Sequence, residues 1–137
     1  MKTIITTGIL SLLLIIGMSA TPLVETKNSP LQIKSTTVAP SFSFFRTHRQ
    51  GKGITATWGL SSNAGVSEFV VRKTYEDPND EYSVWDIIYS SPCDGLRSYK
   101  CTDNVVSPGF ISYQVIAVME DGSMIASNII TERIVSR

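Results

Sequence analysis

The chain has 137 residues, 42% hydrophobic, 9% aromatic and 18% charged, with 12 basic residues against 12 acidic ones. At about 100 to 200 residues per domain, that length holds one core and excludes a multidomain enzyme. A balanced charge with no block of like charges removes the electrostatic footprint that nucleic acid or an anionic membrane surface requires.

The first twenty residues place Lys2 ahead of an apolar stretch from Ile9 to Ile16, followed by Gly17, Met18, Ser19 and Ala20. This is the layout of a cleavable secretory signal peptide. A retained membrane anchor is the weaker reading, because Thr6, Thr7, Gly8 and Ser11 interrupt the stretch and a spanning helix wants about 20 apolar residues. Residues 1–20 therefore predict a secreted, periplasmic or cell-surface protein with no membrane insertion after cleavage. Residues 21–40 are rich in Thr, Ser and Lys and carry Pro22, Pro30 and Pro40, which reads as a tether. The alternative is that Leu31 and Ile33 add a short edge strand to the domain. Outside the cytoplasm, Cys93 and Cys101 are most simply a disulfide. The rival readings are two free thiols, or two ligands of a metal; two thiolates and the lone His48 fall short of the four ligands of a structural zinc.

From residue 41 to residue 137, short β-rich runs alternate with turn residues, and no stretch shows the i, i+3, i+4, i+7 spacing of an amphipathic helix. Seven runs can be placed, at about 41 to 47, 53 to 59, 66 to 74, 84 to 90, 97 to 103, 110 to 118 and 124 to 135, which predicts an all-β sandwich of seven strands. Period-two reading sets Ile54, Ala56 and Trp58 on one face of the second run. It does the same for Phe69 and Val71 in the third, and for Tyr113, Val115 and Ala117 in the sixth. These faces form the expected core. Asp121-Gly122 is the clearest hairpin signal, read as a two-residue type I′ turn.

The order Phe45, Gly51-Lys-Gly53, Ile54-Thr-Ala-Thr-Trp58, Phe69-Val-Val71, Asp103, Tyr113-Gln-Val-Ile-Ala-Val118, Asp121-Gly122 and Ser127 resembles a fibronectin type III domain, in particular the versions in exported Bacteroidetes proteins. The likeness runs over residues 41–137. It implies an immunoglobulin-like sandwich of two sheets, with binding or spacing roles and no catalytic residues. Two features depart from the family. Gly109 precedes Tyr113 by four residues, which puts in doubt the corner where that Tyr hydroxyl bonds back to the chain. Type III domains also usually lack cysteines, so a Cys93–Cys101 link is a local addition.

Little in the sequence suggests chemistry. A Ser/His/Asp or Cys/His site needs a base held by a third group beside a nucleophile, and His48 comes with no such signature. The acidic run Glu76-Asp-Pro-Asn-Asp80-Glu81 lacks the Gly and Glu of a calcium loop and reads as a solvated loop, with weak calcium binding as the alternative. No cofactor or metal site is expected. Tyr75, Tyr82, Trp85 and Tyr89 cluster around the third connection and fourth run, and amphipathic rings of this kind serve sugar or peptide recognition. Tyr75, Tyr82 and Trp85 are the candidate binding surface. The competing reading has Trp85, Ile87 and Tyr89 alternating inward to fill the core, with only Tyr75 and Tyr82 partly exposed. The sequence thus predicts a secreted, monomeric, non-enzymatic module that binds a protein or acts as a spacer at the cell envelope. A small carbohydrate-binding protein is the alternative.

Overall fold

Strands form where the sequence alternates or runs continuously apolar between turn residues, and the computed structural model, which describes residues 38–136, is built of strands alone. In chain order these are β1 (Phe42–Gln50), β2 (Gly53–Leu60), β3 (Val66–Thr74), β4 (Asp86–Pro92), β5 (Tyr99–Asp103), β6 (Gly109–Met119), β7 (Met124–Ala126) and β8 (Ile130–Ile134). All pairings are antiparallel: a three-stranded sheet ordered β1-β2-β5, and a five-stranded sheet ordered β4-β3-β6-β7 with β8 also on β6. The signal segment, most of the tether and the Leu31–Ile33 alternative lie outside the described residues.

The inner faces of the two sheets share one core. Ile54, Ala56 and Trp58 from β2 meet Phe69 and Val71 from β3 and Tyr113, Val115 and Ala117 from β6, all essentially without solvent contact. Each set is the one that period-two reading selects. Trp58 sits at the centre, stacked 6.0 Å from Tyr99 and edge-on to Phe69 at 5.8 Å, arrangements that add to plain area burial. At the β1–β2 hairpin the chain passes so close to β5 that a Cβ on Gly53 would lie 2.6 Å from the Asp103 carbonyl oxygen. Glycine is the side chain that fits there.

Four expectations need correction. The seventh run is two strands, so the domain has eight. Ser127 breaks the run by donating its N–H to the Val115 carbonyl and accepting the Val115 N–H on its hydroxyl, which diverts the backbone from regular pairing between β7 and β8. The β6–β7 hairpin forms, but not as a two-residue turn. Gly122 N–H bonds to Met119 C=O, which puts Glu120 and Asp121 at the central positions and Gly122 after them at φ 83°, the longer hairpin pattern with a left-handed glycine. The fourth strand begins two residues later than expected and carries a bulge opposite Val71 and Arg72.

The fourth correction concerns Cys93 and Cys101, which are unbonded. Cys101 is buried on β5, with Tyr99 on the same face two residues earlier. Cys93 follows β4, and its Sγ lies 3.3 Å from the Tyr99 hydroxyl. The sulfur packs against the near residue of β5 instead of the far one.

Candidate functional site

The surface that stands out is the outer face of the five-stranded sheet. Strand registers lay it out as a grid: Val70 of β3 opposite Ile116 of β6, Glu68 opposite Val118, Arg72 opposite both Gln114 and Ile87, and Val118 opposite Met124 of β7. Glu68, Val70, Arg72, Trp85, Ile87, Ile116, Val118 and Met124 line a shallow groove of about 430 Å³. Ile87 is 69% and Met124 72% exposed. A contiguous apolar surface on a sheet face that meets only water is unfavourable, and such patches mark interaction sites.

Several polar groups on this face have partners within the chain. The Arg72 guanidinium donates twice to Gln114 Oε1, at 3.1 and 2.7 Å, and lies 4.5 Å over the Trp85 ring. Gln114 passes the chain of bonds on, its Nε2 donating to the Ser127 carbonyl. Ser90 donates to Glu68. The indole is therefore held against β3 by a cation–π contact and forms one wall of the groove. This makes an apolar surface with polar edges, on which Arg72 keeps three N–H donors unused.

The sequence-predicted platform does not assemble as one surface. Trp85 rests on outward-facing Arg72. Tyr75 belongs to the other side of β3, its ring 5.8 Å from Lys73 Nζ and its hydroxyl accepting the Ser107 N–H. Tyr82 is 83% exposed on the β3–β4 loop. The inward alternation of Trp85, Ile87 and Tyr89 also fails, because the β4 bulge turns Ile87 outward. Tyr89 alone faces the interior, 6.2 Å from Trp58, and lines a polar cleft of about 460 Å³ between the sheet edges with Asp94, Lys100 and Thr57. The sequence reading missed Glu68, Val70, Arg72, Ile87, Ile116, Val118 and Met124. A signal was available: Phe69-Val70-Val71 and Val115-Ile116-Ala117-Val118 are continuous apolar runs, the pattern of strands covered on both faces.

The interior holds charge as well. Lys73 Nζ donates to Asp103 Oδ2 at 2.7 Å and to the Val105 carbonyl at 2.6 Å, and the Tyr113 hydroxyl donates to the same Asp103 oxygen at 3.0 Å. Burial, with the Asp103 charge added, holds the Tyr113 phenol well above its usual range. The same two causes push the Cys101 thiol up to about 11. The Tyr hydroxyl does bond back toward the chain upstream, but to a carboxylate on the other sheet. This network ties β3 and β6 to β5 and serves the fold. Elsewhere, the acidic loop directs its carboxylates at its own chain: Asp77 accepts the Asn79 N–H, Asp80 that of Tyr82, and Glu76 that of Val84. His48 is exposed on β1, opposite Thr55.

No protein-family model and no curated protein matches the chain. Among solved structures, it is similar to pectate lyase Pel3 from Pectobacterium carotovorum, with a TM-score of 0.54 and 14% identity over 66% of this chain and 26% of that one. It is also similar to catalytically inactive OgpA from Akkermansia muciniphila, solved with an O-glycopeptide substrate, with a TM-score of 0.51 and 13% identity over 69% of this chain and 28% of that one. The chain thus spans about a quarter of the length of either neighbour. At these identities the likeness is one of fold: an all-β, sandwich-like arrangement of two antiparallel sheets.

Proposed function

We propose that the chain is an exported, non-enzymatic module of the fibronectin type III kind, which binds a macromolecular partner at the cell envelope through the outer face of its five-stranded sheet. The observation that carries the reading is the groove floored by Val70, Ile116 and Val118 and walled by Trp85, Ile87 and Met124. An apolar surface of this kind gains free energy when covered, at roughly 25 cal/mol per Å² of apolar area removed from water. The 3 + 5 sheet arrangement, with β7 and β8 as two halves of one edge, is in keeping with the family resemblance and supports that reading. Recurrence of the fold in segments of two larger bacterial proteins fits a module used as one part among others.

The test is retention of cell-envelope components by the immobilised protein, with Ile116→Asp as the matched control. Components held by the wild type and lost on the variant support the face; equal retention by both removes it. The carbohydrate-binding alternative has its own basis in the Tyr89 cleft, where hydroxyl, carboxylate and ammonium groups surround an aromatic ring. A glycan array decides it: a signal lost in Tyr89→Ala favours the sugar reading, and a blank array ends it.

A further inference from the structure

The same face carries a pattern that selects its occupant. On β3, Glu68 and Arg72 flank Val70 at equal distances along the strand, all three side chains pointing outward. Four residues of strand separate the two charges by about 13 Å. Val70 and its neighbour Ile116 lie on the line midway between them. An apolar centre with opposite charges set symmetrically about it is self-complementary under a twofold axis, the requirement of an isologous interface.

We infer that the outer face of the five-stranded sheet docks a second copy of this chain. The inference rests on the binding role proposed for that face. The axis lies in the interface, perpendicular to the strands, and passes over Val70 and Ile116. It sets Val70 and Ile116 against the same residues of the other copy, Glu68 of one copy against Arg72 of the other, and Arg72 against Glu68. Two sheets then meet face to face, as the layers of a sandwich do.

The groups that would be covered allow this closure. Gln114, beside Arg72, has its oxygen on the guanidinium and its Nε2 on the Ser127 carbonyl, and Ser112 and Thr131 bond to each other at 2.8 Å. Each of these side chains already has a partner in its own chain, which limits the cost of covering it. Arg72 uses two of its five N–H donors within its own chain, so three remain for the incoming carboxylate. Overall charge does not oppose pairing, with 12 basic and 12 acidic residues in the chain.

Sedimentation equilibrium of the purified protein tests the inference, at concentrations up to about 1 mM to reach weak association. The wild type is expected to sediment at twice the monomer mass. Glu68→Arg sets a new guanidinium on each copy against the Arg72 guanidinium of the other. The dimer should weaken by at least about tenfold, since like charges brought together across an interface are strongly unfavourable. Arg72→Glu does the same with two carboxylates. The double exchange Glu68→Arg with Arg72→Glu restores the pairing and recovers the dimer, which a merely misfolded single variant could not do. Circular dichroism confirms that each variant keeps its strands. A wild type that stays monomeric throughout overturns the inference, as does a dimer indifferent to both charge reversals. If the monomer nevertheless retains an envelope component that Ile116→Asp loses, the second copy is wrong and the binding face stands.

Discussion

Arg72 and Lys73 are adjacent in sequence and opposite in circumstance. Lys73 points between the sheets, where its ammonium is held by Asp103 and the Val105 carbonyl and is nearly shut off from water. Arg72 points outward, over the face of Trp85, at the rim of a groove open to solvent. The strand's period of two makes this division inevitable, but the consequences differ. A buried cation must keep its partner, so Lys73 is committed to the fold. A half-exposed cation on an aromatic ring has donors to spare, so Arg72 is available to a partner. In this molecule, charge inside ties the two sheets together and charge outside lies at the rim of the proposed binding surface.

The largest effect should come from breaking the inner pair. Asp103→Ala leaves the Lys73 ammonium buried without its carboxylate and takes the acceptor from Tyr113, and urea unfolding should show a loss of about 3 to 5 kcal/mol. Tyr113→Phe removes one bond to a charged group at nearly constant volume and should cost about 1.5 to 3 kcal/mol in the same experiment. On the outer side, Arg72→Ala forfeits the cation–π contact and both bonds to Gln114 Oε1 and should cost about 1 to 2 kcal/mol. Ile87→Ser should change stability by less than about 0.5 kcal/mol while weakening whatever binding the face supports. Equal losses from Asp103→Ala and Ile87→Ser would erase the distinction between inside and outside.

Alkaline titration sharpens the same contrast. Cys101, Tyr99 and Tyr113 all have their deprotonated forms disfavoured in the folded state, with burial as the first cause. Between the ordinary Cys value of 9.0 and the folded value of about 11, the unfolded thiol has already lost the proton that the folded one keeps. The linkage relation then makes stability fall as pH rises. The thermal midpoint should therefore drop between about pH 9 and 11, and drop less in Cys101→Ala. A thiol reagent should also titrate two free cysteines in the unfolded protein; one that finds none contradicts the unbonded arrangement.

Much of the fold can be read from the sequence because burial on one face writes an alternating pattern. Ile54, Ala56 and Trp58, and Tyr113, Val115 and Ala117, are inward in the structure as they are in the pattern. The division at Ser127 is hidden, since the residue breaks the strand with backbone and hydroxyl bonds that no periodicity announces. The β4 bulge is hidden for a similar reason: one extra residue reverses the faces, so Ile87 reads as core and stands in water. The rings of Tyr75, Tyr82 and Trp85 do not form one platform because closeness in sequence is not closeness in space. Tyr75 and Trp85 flank one loop but rest against opposite sides of β3. What does identify the outer face is an excess: Val70, Ile116 and Val118 are apolar at positions where a solvent-facing strand would be polar.

The central claim is that this outer face is covered when the protein works, and Met124 reports on it directly. Its side chain is 72% exposed at the groove and should oxidise readily to the sulfoxide in dilute protein. Hydroxyl-radical oxidation, read by peptide mass spectrometry, should slow severalfold at Met124 when protein concentration is raised or the envelope fraction is added, while oxidation of the exposed Tyr82 stays constant. Unchanged oxidation of Met124 under both conditions, with protection falling on Tyr89 instead, would move the binding surface to the cleft and contradict a covered outer face.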